Sequence, residues 1–472
     1  MVAGYRPSIR VVSTRSRTSA LNRFGKFAAE HYISAMFFIC TFSPLLRRLV
    51  DYESGYHSLS PIALLPMVSF LPGCYVVWKR WSQLSSGYRA VVAIWCVAFG
   101  FSYAVAFASG SIIPAAFTLV QFVAPLGIAG ILLMASGDYR VAYHRGARAF
   151  LYCACAASLY AIYQYVSPPP WDVAWVQNAN IVSIGDPVPF GLRVFGPYNS
   201  DGPFASFIAL ALIVNFPRLS LKRWLLTLMY APCIIALLLT EVRSAWVGVA
   251  FGTVLYLVLA PSRRGPMLSL ASLFVTSLLL GGVVLSSVRN SQMAVESVST
   301  RLSTFQTLSG DSSVTTRQAE TTEAWAQGAK DPLGLGLGAA SAATKINGGT
   351  GGGIDNGYLS RLVEMGIIGW IAYLVALAVA LIVCLVAYAE LRRSGDILAR
   401  NLAALAVSLQ LLLLLQEAAF DQHVAFTGLF FWYSLFLAGA AVTAAAVSRG
   451  DRNTYAVSRH GLPAVALTSS SS

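Results

Sequence analysis

Apolar residues run along this chain in blocks of about twenty, the length a helix needs to cross a hydrocarbon core, with short polar connections between them. Windows of that kind fall near 31–50, 59–78, 90–109, 111–135, 149–167, 203–216, 225–240, 245–261, 267–288, 358–389, 401–420 and 427–447. In lipid each segment must satisfy its own backbone, so the pattern predicts an all-α polytopic membrane protein with about twelve transmembrane helices. The sixth and seventh windows are short, Arg47 and Arg48 weaken the first, and the tenth is long enough to tilt or to start in the interface. The turn at 240–244 reads either as a tight hairpin between spans or as a re-entrant turn.

The windows divide the chain into a basic tail (1–30), nine spans (31–288) interrupted by a loop at 168–202, and a large loop (289–357). Three more spans (358–447) and a basic, then Ser-rich tail (448–472) follow. The last tail has the composition of a disordered segment. The first 28 residues are polar and basic with no cleavage-type ending, and read as a cytoplasmic tail and not a cleaved signal.

Composition narrows the class. Hydrophobic residues make up 56% of the 472 and charged ones 11%, against about 25% charged in ordinary soluble domains. A soluble enzyme, a disordered chain and a secreted disulfide scaffold are thereby excluded. All seven cysteines lie in apolar runs and read as packing residues, so no disulfide is expected.

The net charge of +13 would suggest a nucleic-acid partner on a soluble protein. Divided by side it has another origin. With the N-terminus inside, the inner connections and tails hold 23 basic and five acidic residues, and the outer segments ten basic and fifteen acidic. Such a bias places both termini in the cytoplasm and leaves no role for nucleic acid. Both long loops then face outwards, which puts the chemistry on that face.

Three outer elements carry candidate chemistry. The first loop closes on Arg193-Val-Phe-Gly-Pro-Tyr-Asn199-Ser-Asp201, beside the sixth window. A guanidinium there suits bidentate contact with phosphate; the alternative is a boundary arginine paired with Asp201. The second element, Thr240-Glu241-Val-Arg243-Ser244, sits between two apolar runs, where ionised residues cost about 2.5–3.5 kcal/mol each to insert. Arg243 would meet an anionic lipid headgroup, with Glu241 orienting it or acting as a base; a purely structural Glu241–Arg243 pair is the alternative.

The third is the large loop. Residues 315–326 read as a short amphipathic helix on the membrane with Thr315 as N-cap, and the glycine-rich runs 331–338 and 348–353 as a flexible lid. No Lys-Ser/Thr follows those glycines, which excludes a nucleotide P-loop. The loop ends on Asp355-Asn356-Gly357-Tyr358, placing Asp355 at the membrane surface as a general base or a helix N-cap. Asp421 and His423, in a short outer turn, are placed to line the same cavity. The five histidines are scattered, so no metal site and no cofactor are expected.

Taken together, these segments resemble the O-antigen ligase/polymerase-like membrane proteins, the Wzy-type polymerases and WaaL-type ligases. The matching motifs are Arg193 to Asn199 before a span and Thr240 to Trp246 between spans. Arg317, Trp325 and Asp331 to Gly336 follow, then Asn356 to Gly369. The resemblance implies a GT-C-like glycosyltransferase of the bacterial inner membrane, independent of metal. Its donor would be an undecaprenyl-pyrophosphate-linked oligosaccharide, transferred with inversion. Arg193 and Arg243 would neutralise the leaving pyrophosphate, and Asp355 or Glu241 would take the acceptor proton. Asn199, Arg317, Asn356 and Tyr358 would bind substrate, and a chain-length-regulating membrane protein is the implied partner. Ligases of this kind typically carry His where this chain has Asp355. That favours a polymerase of exopolysaccharide or O-antigen repeats over a ligase acting on lipid A-core. A non-enzymatic transporter of lipid-linked oligosaccharide is disfavoured on other grounds, because the charges gather at the outer surface and the two halves show no repeat.

Overall fold

The computed structural model describes residues 20–57, 60–135, 139–179, 184–219, 224–260, 312–341, 343–344, 354 and 356–448. Its helices are α1 (Ala20–Ser54), the broken α2 (Pro61–Lys79), α3 (Ser86–Ala108), α4 (Ile112–Leu133), α5 (Tyr139–Val166) and α6 (Pro170–Ala179). There follow α7 (Asp201–Asn215), α8 (Trp224–Leu239), α9 (Arg243–Leu259), α10 (Ser312–Lys330), α11 (Gly357–Leu391), α12 (Ile397–Glu417) and α13 (Ala425–Ser448). Eight are long and apolar enough to cross a membrane, while α8 and α9 are shorter apolar helices. Eleven of the twelve expected windows are thus helical; the ninth, 267–288, lies outside the described residues. This is an all-α polytopic membrane protein.

Its surface supports that class. Phe38, Val97, Ile113, Val254, Ile368 and Ile382 are each more than half exposed. Water would penalise such a surface, but lipid tails are as apolar as the side chains they meet. Burial is greatest in the short helix α7. Thirteen of the fifteen residues of α7 are buried, because α5, α8, α9 and α12 surround it. A helix walled by protein does not have to match the lipid thickness, which explains why this window is short.

The chain alternates direction, so one end of the bundle collects the loop 167–200, the α8–α9 turn, the start of α11 and the α12–α13 turn. We call it the loop face. On the opposite face an Arg140–Asp396 ion pair ties the start of α5 to the α11–α12 connection.

Candidate functional site

The 167–200 loop is held by a buried ion pair. Arg48, on the last turns of α1, meets Asp172 of α6 at 2.6 Å, with both side chains fully buried. A lone charge there would be very costly, and every oxygen of Asp172 is engaged: Tyr160 donates to it at 2.8 Å and Gln164 at 2.5 Å. Arg48 also donates to the Gly196 carbonyl at 2.6 Å and lies over the Phe195 ring. The backbone N–H groups of Phe195 and Gly196 donate to the Gln164 side chain. One network therefore fixes the backbone just after Arg193. Burial raises the Asp172 carboxyl above its ordinary value, while Arg48, Tyr160 and Gln164 pull it back down.

On that platform Arg193 reaches Glu241 at 3.2 Å. The next residue, Val194, donates its N–H to the carbonyl of Leu239 at the end of α8, which sets the loop strand against the α8–α9 turn. Only three residues join the two helices, and Glu241 takes a left-handed backbone (φ 57°) to close the turn. A non-glycine residue at positive φ stores strain of about 1–3 kcal/mol, a feature that gathers at functional positions. The turn is short, and the helices it joins pack mainly against α5, α7 and α12. Its carboxylate pairs with Arg193 from 48 residues away. Arg243 opens α9, half-buried. Both members of the Arg193–Glu241 pair stay partly exposed, at 24% and 12% of their side-chain surface, so a charged ligand can reach them.

A second cluster lies where α11, α12 and the α12–α13 turn converge. Arg361, fully buried, lies 2.5 Å from Glu364 and 2.9 Å from Asp421. Glu417 accepts from Tyr373 at 2.8 Å and from the Gln422 N–H at 2.6 Å, and pairs with Nδ1 of His423 at 2.8 Å. With Nδ1–H directed at Glu417, a neutral ring carries its lone pair on Nε2. That nitrogen and Oδ1 of Asp421 have no hydrogen-bond partner among the described residues. Burial pushes the Asp421 carboxyl up to about 7, with Glu417 and Glu364 adding to the rise while Arg361 and His423 oppose it.

The glycine-rich run 331–338 is built into this cluster and is not a flexible lid. Gly338 and Ala340 donate their N–H groups to the Glu364 side chain, and Gly336 donates to the Glu364 carbonyl. Gly334, Gly336 and Gly338 all have positive φ. The strap crosses α11 where that helix kinks at Gly366 (φ 59°, ψ −177°), whose missing side chain leaves room for the Pro332 carbonyl.

The remaining sequence expectations resolve individually. Asn356, expected on the substrate, caps α11, its Oδ1 accepting from the N–H groups of Tyr358 and Leu359. Tyr358 donates its hydroxyl to the Leu414 carbonyl at 2.8 Å. Asn199 is half-buried and accepts at its backbone carbonyl from Trp175. The amphipathic helix is longer than expected and starts at Ser312, which puts Thr315 inside it and not at its cap. Arg317 is exposed on that helix, and Trp325 packs edge-on to Trp370 of α11. Asp355, the second carboxylate considered as a base, lies outside the described residues, as do the run 348–353 and all of 289–311.

Sequence reasoning gave no role to Arg48 and Asp172, and none of its own to the Arg361–Glu364–Glu417 group. A usable signal existed: ionisable residues inside apolar windows are functional or structural keystones by default, and Arg48, Arg361, Glu364 and Glu417 all lie in such windows.

With this geometry in place, the comparison with known families is informative. Residues 228–374 match the family model described as O-Antigen ligase. That stretch is similar to the O-antigen ligase family. The O-antigen ligase-like segment runs from α8 to the middle of α11. It holds Glu241, Arg243, the strap and Arg361, whereas Arg193 precedes it and Glu417, Asp421 and His423 follow it. No curated protein matches the chain.

Proposed function

We propose that this protein is a polysaccharide polymerase that joins undecaprenyl-pyrophosphate-linked oligosaccharide repeats. The observation that carries the reading is the partly exposed Arg193–Glu241 pair, set at the helix ends of the loop face beside Arg243. A pyrophosphate bound to a membrane lipid presents its charge at that level, and an arginine already paired with a carboxylate is a site where a stronger anion competes. As the pyrophosphate takes Arg193, Glu241 is released next to the reacting centre.

The acceptor hydroxyl oxygen then attacks the anomeric carbon from the face opposite the leaving group. The new glycosidic bond forms as the carbon–oxygen bond to pyrophosphate breaks, and the bonding pair leaves on the pyrophosphate oxygen. Arg193 and Arg243 stabilise that developing charge. The acceptor proton goes to Glu241 or to Asp355, and the anomeric configuration inverts. Asn199, Arg317, Asn356 and Tyr358 remain part of the reading as the rim of the substrate site, the last two by shaping the start of α11. The positive-inside bias supports an inner membrane location with both termini cytoplasmic and the loop face periplasmic. A chain-length-regulating membrane protein would be the natural partner.

The test is Arg193→Ala and Arg243→Ala in a host lacking the wild-type chain. Both are expected to abolish high-molecular-weight polymer at normal protein level, with single lipid-linked repeats accumulating. Full-length polymer in both variants refutes the proposal. Accumulation of unligated polymer on the lipid carrier would instead identify a ligase. Failure of the purified protein to extend lipid-linked repeats by itself would point to a transporter.

A further inference from the structure

The opposite face of the bundle holds a cavity of about 550 Å³, lined by His144, Arg148, Tyr152 and Arg218 with Leu225 and Met229. It lies at the far ends of the helices that carry the site: α5 continues to Tyr165, whose carbonyl accepts from Phe190 in the loop, and α8 continues to Leu239. From Arg148 to Tyr165 is about 25 Å at 1.5 Å per residue, close to one hydrocarbon thickness. The cavity and the loop-face site are therefore separate places on opposite sides of the membrane.

Its walls combine two chemistries. On one side are two guanidiniums, an imidazole and a phenol. On the other is an apolar slope leading to lipid: Tyr152, Leu225 and the adjoining Trp224 are each more than half exposed. The two arginines differ in kind. Arg148 is exposed and can reach. Arg218 is buried at 6% exposure and is held by the Asn215 side chain at 2.6 Å, which is itself tied to the Ala211 carbonyl. Tyr143 and Tyr230 fasten α5 and α8 to the end of α7 through the Val214 and Leu212 carbonyls, so the pocket wall is rigid. A positive-inside bias needs only exposed basic residues at this face. It does not require an arginine fixed inside the protein beside a second arginine and a histidine, around a cavity that opens to lipid.

We propose that this cavity binds the phosphate of an anionic glycerophospholipid from the leaflet on that face. The headgroup phosphate would lie between Arg148 and Arg218, and an acyl chain would follow Leu225 and Met229 into the bilayer. A headgroup between basic side chains at a helix-bounded pocket is a recurrent mode of lipid recognition. The volume is within the range of small-ligand sites. By bridging α5 to the start of α8, such a lipid braces two helices whose other ends frame the Arg193–Glu241 pair.

The experiment is native mass spectrometry of the purified full chain equilibrated with equal phosphatidylglycerol and phosphatidylcholine, alongside its thermal unfolding midpoint in each lipid. The wild type is expected to retain phosphatidylglycerol over phosphatidylcholine by roughly tenfold to thirtyfold, which is what two cations beside a headgroup supply. Arg148→Ala should reduce that preference about fivefold, one cation's share, and His144→Ala should reduce it further. Arg80→Ala, an exposed basic residue just past the end of α2, and Arg193→Ala on the loop face should both leave it intact. Arg148→Ala keeps the test valid if the buried Arg218 cannot be replaced without unfolding. Equal retention of the two lipids overturns the proposal, as does a loss in Arg80→Ala equal to that in Arg148→Ala. Displacement of phosphatidylglycerol by excess inorganic phosphate would show that the site takes the soluble ion, and that also overturns it.

Discussion

Replacing Arg48 with alanine tests whether the fully buried Arg48–Asp172 pair holds the first loop in place. The variant leaves Asp172 with Tyr160 and Gln164 as donors but without a counter-charge, and leaves the Gly196 carbonyl without its donor. Breaking a buried pair from one side costs about 3–5 kcal/mol. An independent limit comes from protonation. A carboxyl whose ordinary value is 3.8 can be neutralised at pH 7 for about 1.36 kcal/mol per unit, or ~4 kcal/mol, and the protein will not pay more than that to keep the charge.

The two figures agree, and the second adds a pH dependence. Burial already raises Asp172, with Arg48 the largest opposing influence, so removing Arg48 raises it further. The folded variant then binds a proton that the unfolded chain has released. Its stability falls as pH rises above the unfolded value, by about 1.36 kcal/mol per unit while the folded carboxyl stays protonated. Relative to wild type, Arg48→Ala should therefore lose more stability at pH 7 than at pH 5.

The assay is thermal or denaturant unfolding of purified protein at both pH values, with polymer formation measured in parallel. Polymer should fall along with stability, because the loop carrying Arg193 loses its anchor. The double variant Arg48→Met/Asp172→Leu should recover most of the stability, since no orphaned charge remains. A pH-independent loss below about 1 kcal/mol in the single variant would refute the reasoning. So would a double variant no more stable than Arg48→Ala.

The Asp421 carboxyl, raised to about 7, favours the folded state while protonated, so stability should decline as pH rises through that value; Asp421→Asn should flatten the slope in a melting series. Gly366→Ala places a side chain at φ 59° against the Pro332 carbonyl and should cost 2 kcal/mol or more, read as a lowered unfolding midpoint and a proteolytic cut in the strap. An unchanged midpoint would mean that strap and helix do not depend on each other's close approach. Glu241→Gln should retain lipid-linked donor while losing polymer, because the amide cannot take the acceptor proton; loss of donor binding would assign Glu241 to positioning alone.

Much of the molecule is legible along the chain. The hydrophobic blocks place eleven helices, although α1 and α5 each begin some ten residues before their windows, and Arg193, Glu241 and Arg243 stand out as ionised groups beside apolar runs. The turn at 240–242 closes through Glu241 at positive φ, which the spacing of apolar residues does not reveal. The glycine strap was misread because glycine signals both flexibility and close approach. Its positive-φ residues and bonds to Glu364 show that close approach is the reason here. The spacing of residues does not reveal that Asn356 Oδ1 caps α11 and that the Tyr358 hydroxyl ties α11 to α12.

The sequence by itself determined the class of protein and which apolar stretches would form its helices. Those depend on local quantities: apolar length against membrane thickness, and backbone hydrogen bonds closed within each segment. Only the tertiary structure decided which boundary charges meet. Arg48 and Asp172 are 124 residues apart, Arg361 and Asp421 are 60 apart, and Arg193 finds Glu241 across 48. Desolvation sets the cost of each charge and proximity sets its compensation, and in a bundle of this kind proximity is a matter of which helices are neighbours. Whether an arginine near a helix end is a keystone, a site residue or a lipid anchor therefore follows from packing, and packing is not written in the spacing of apolar positions.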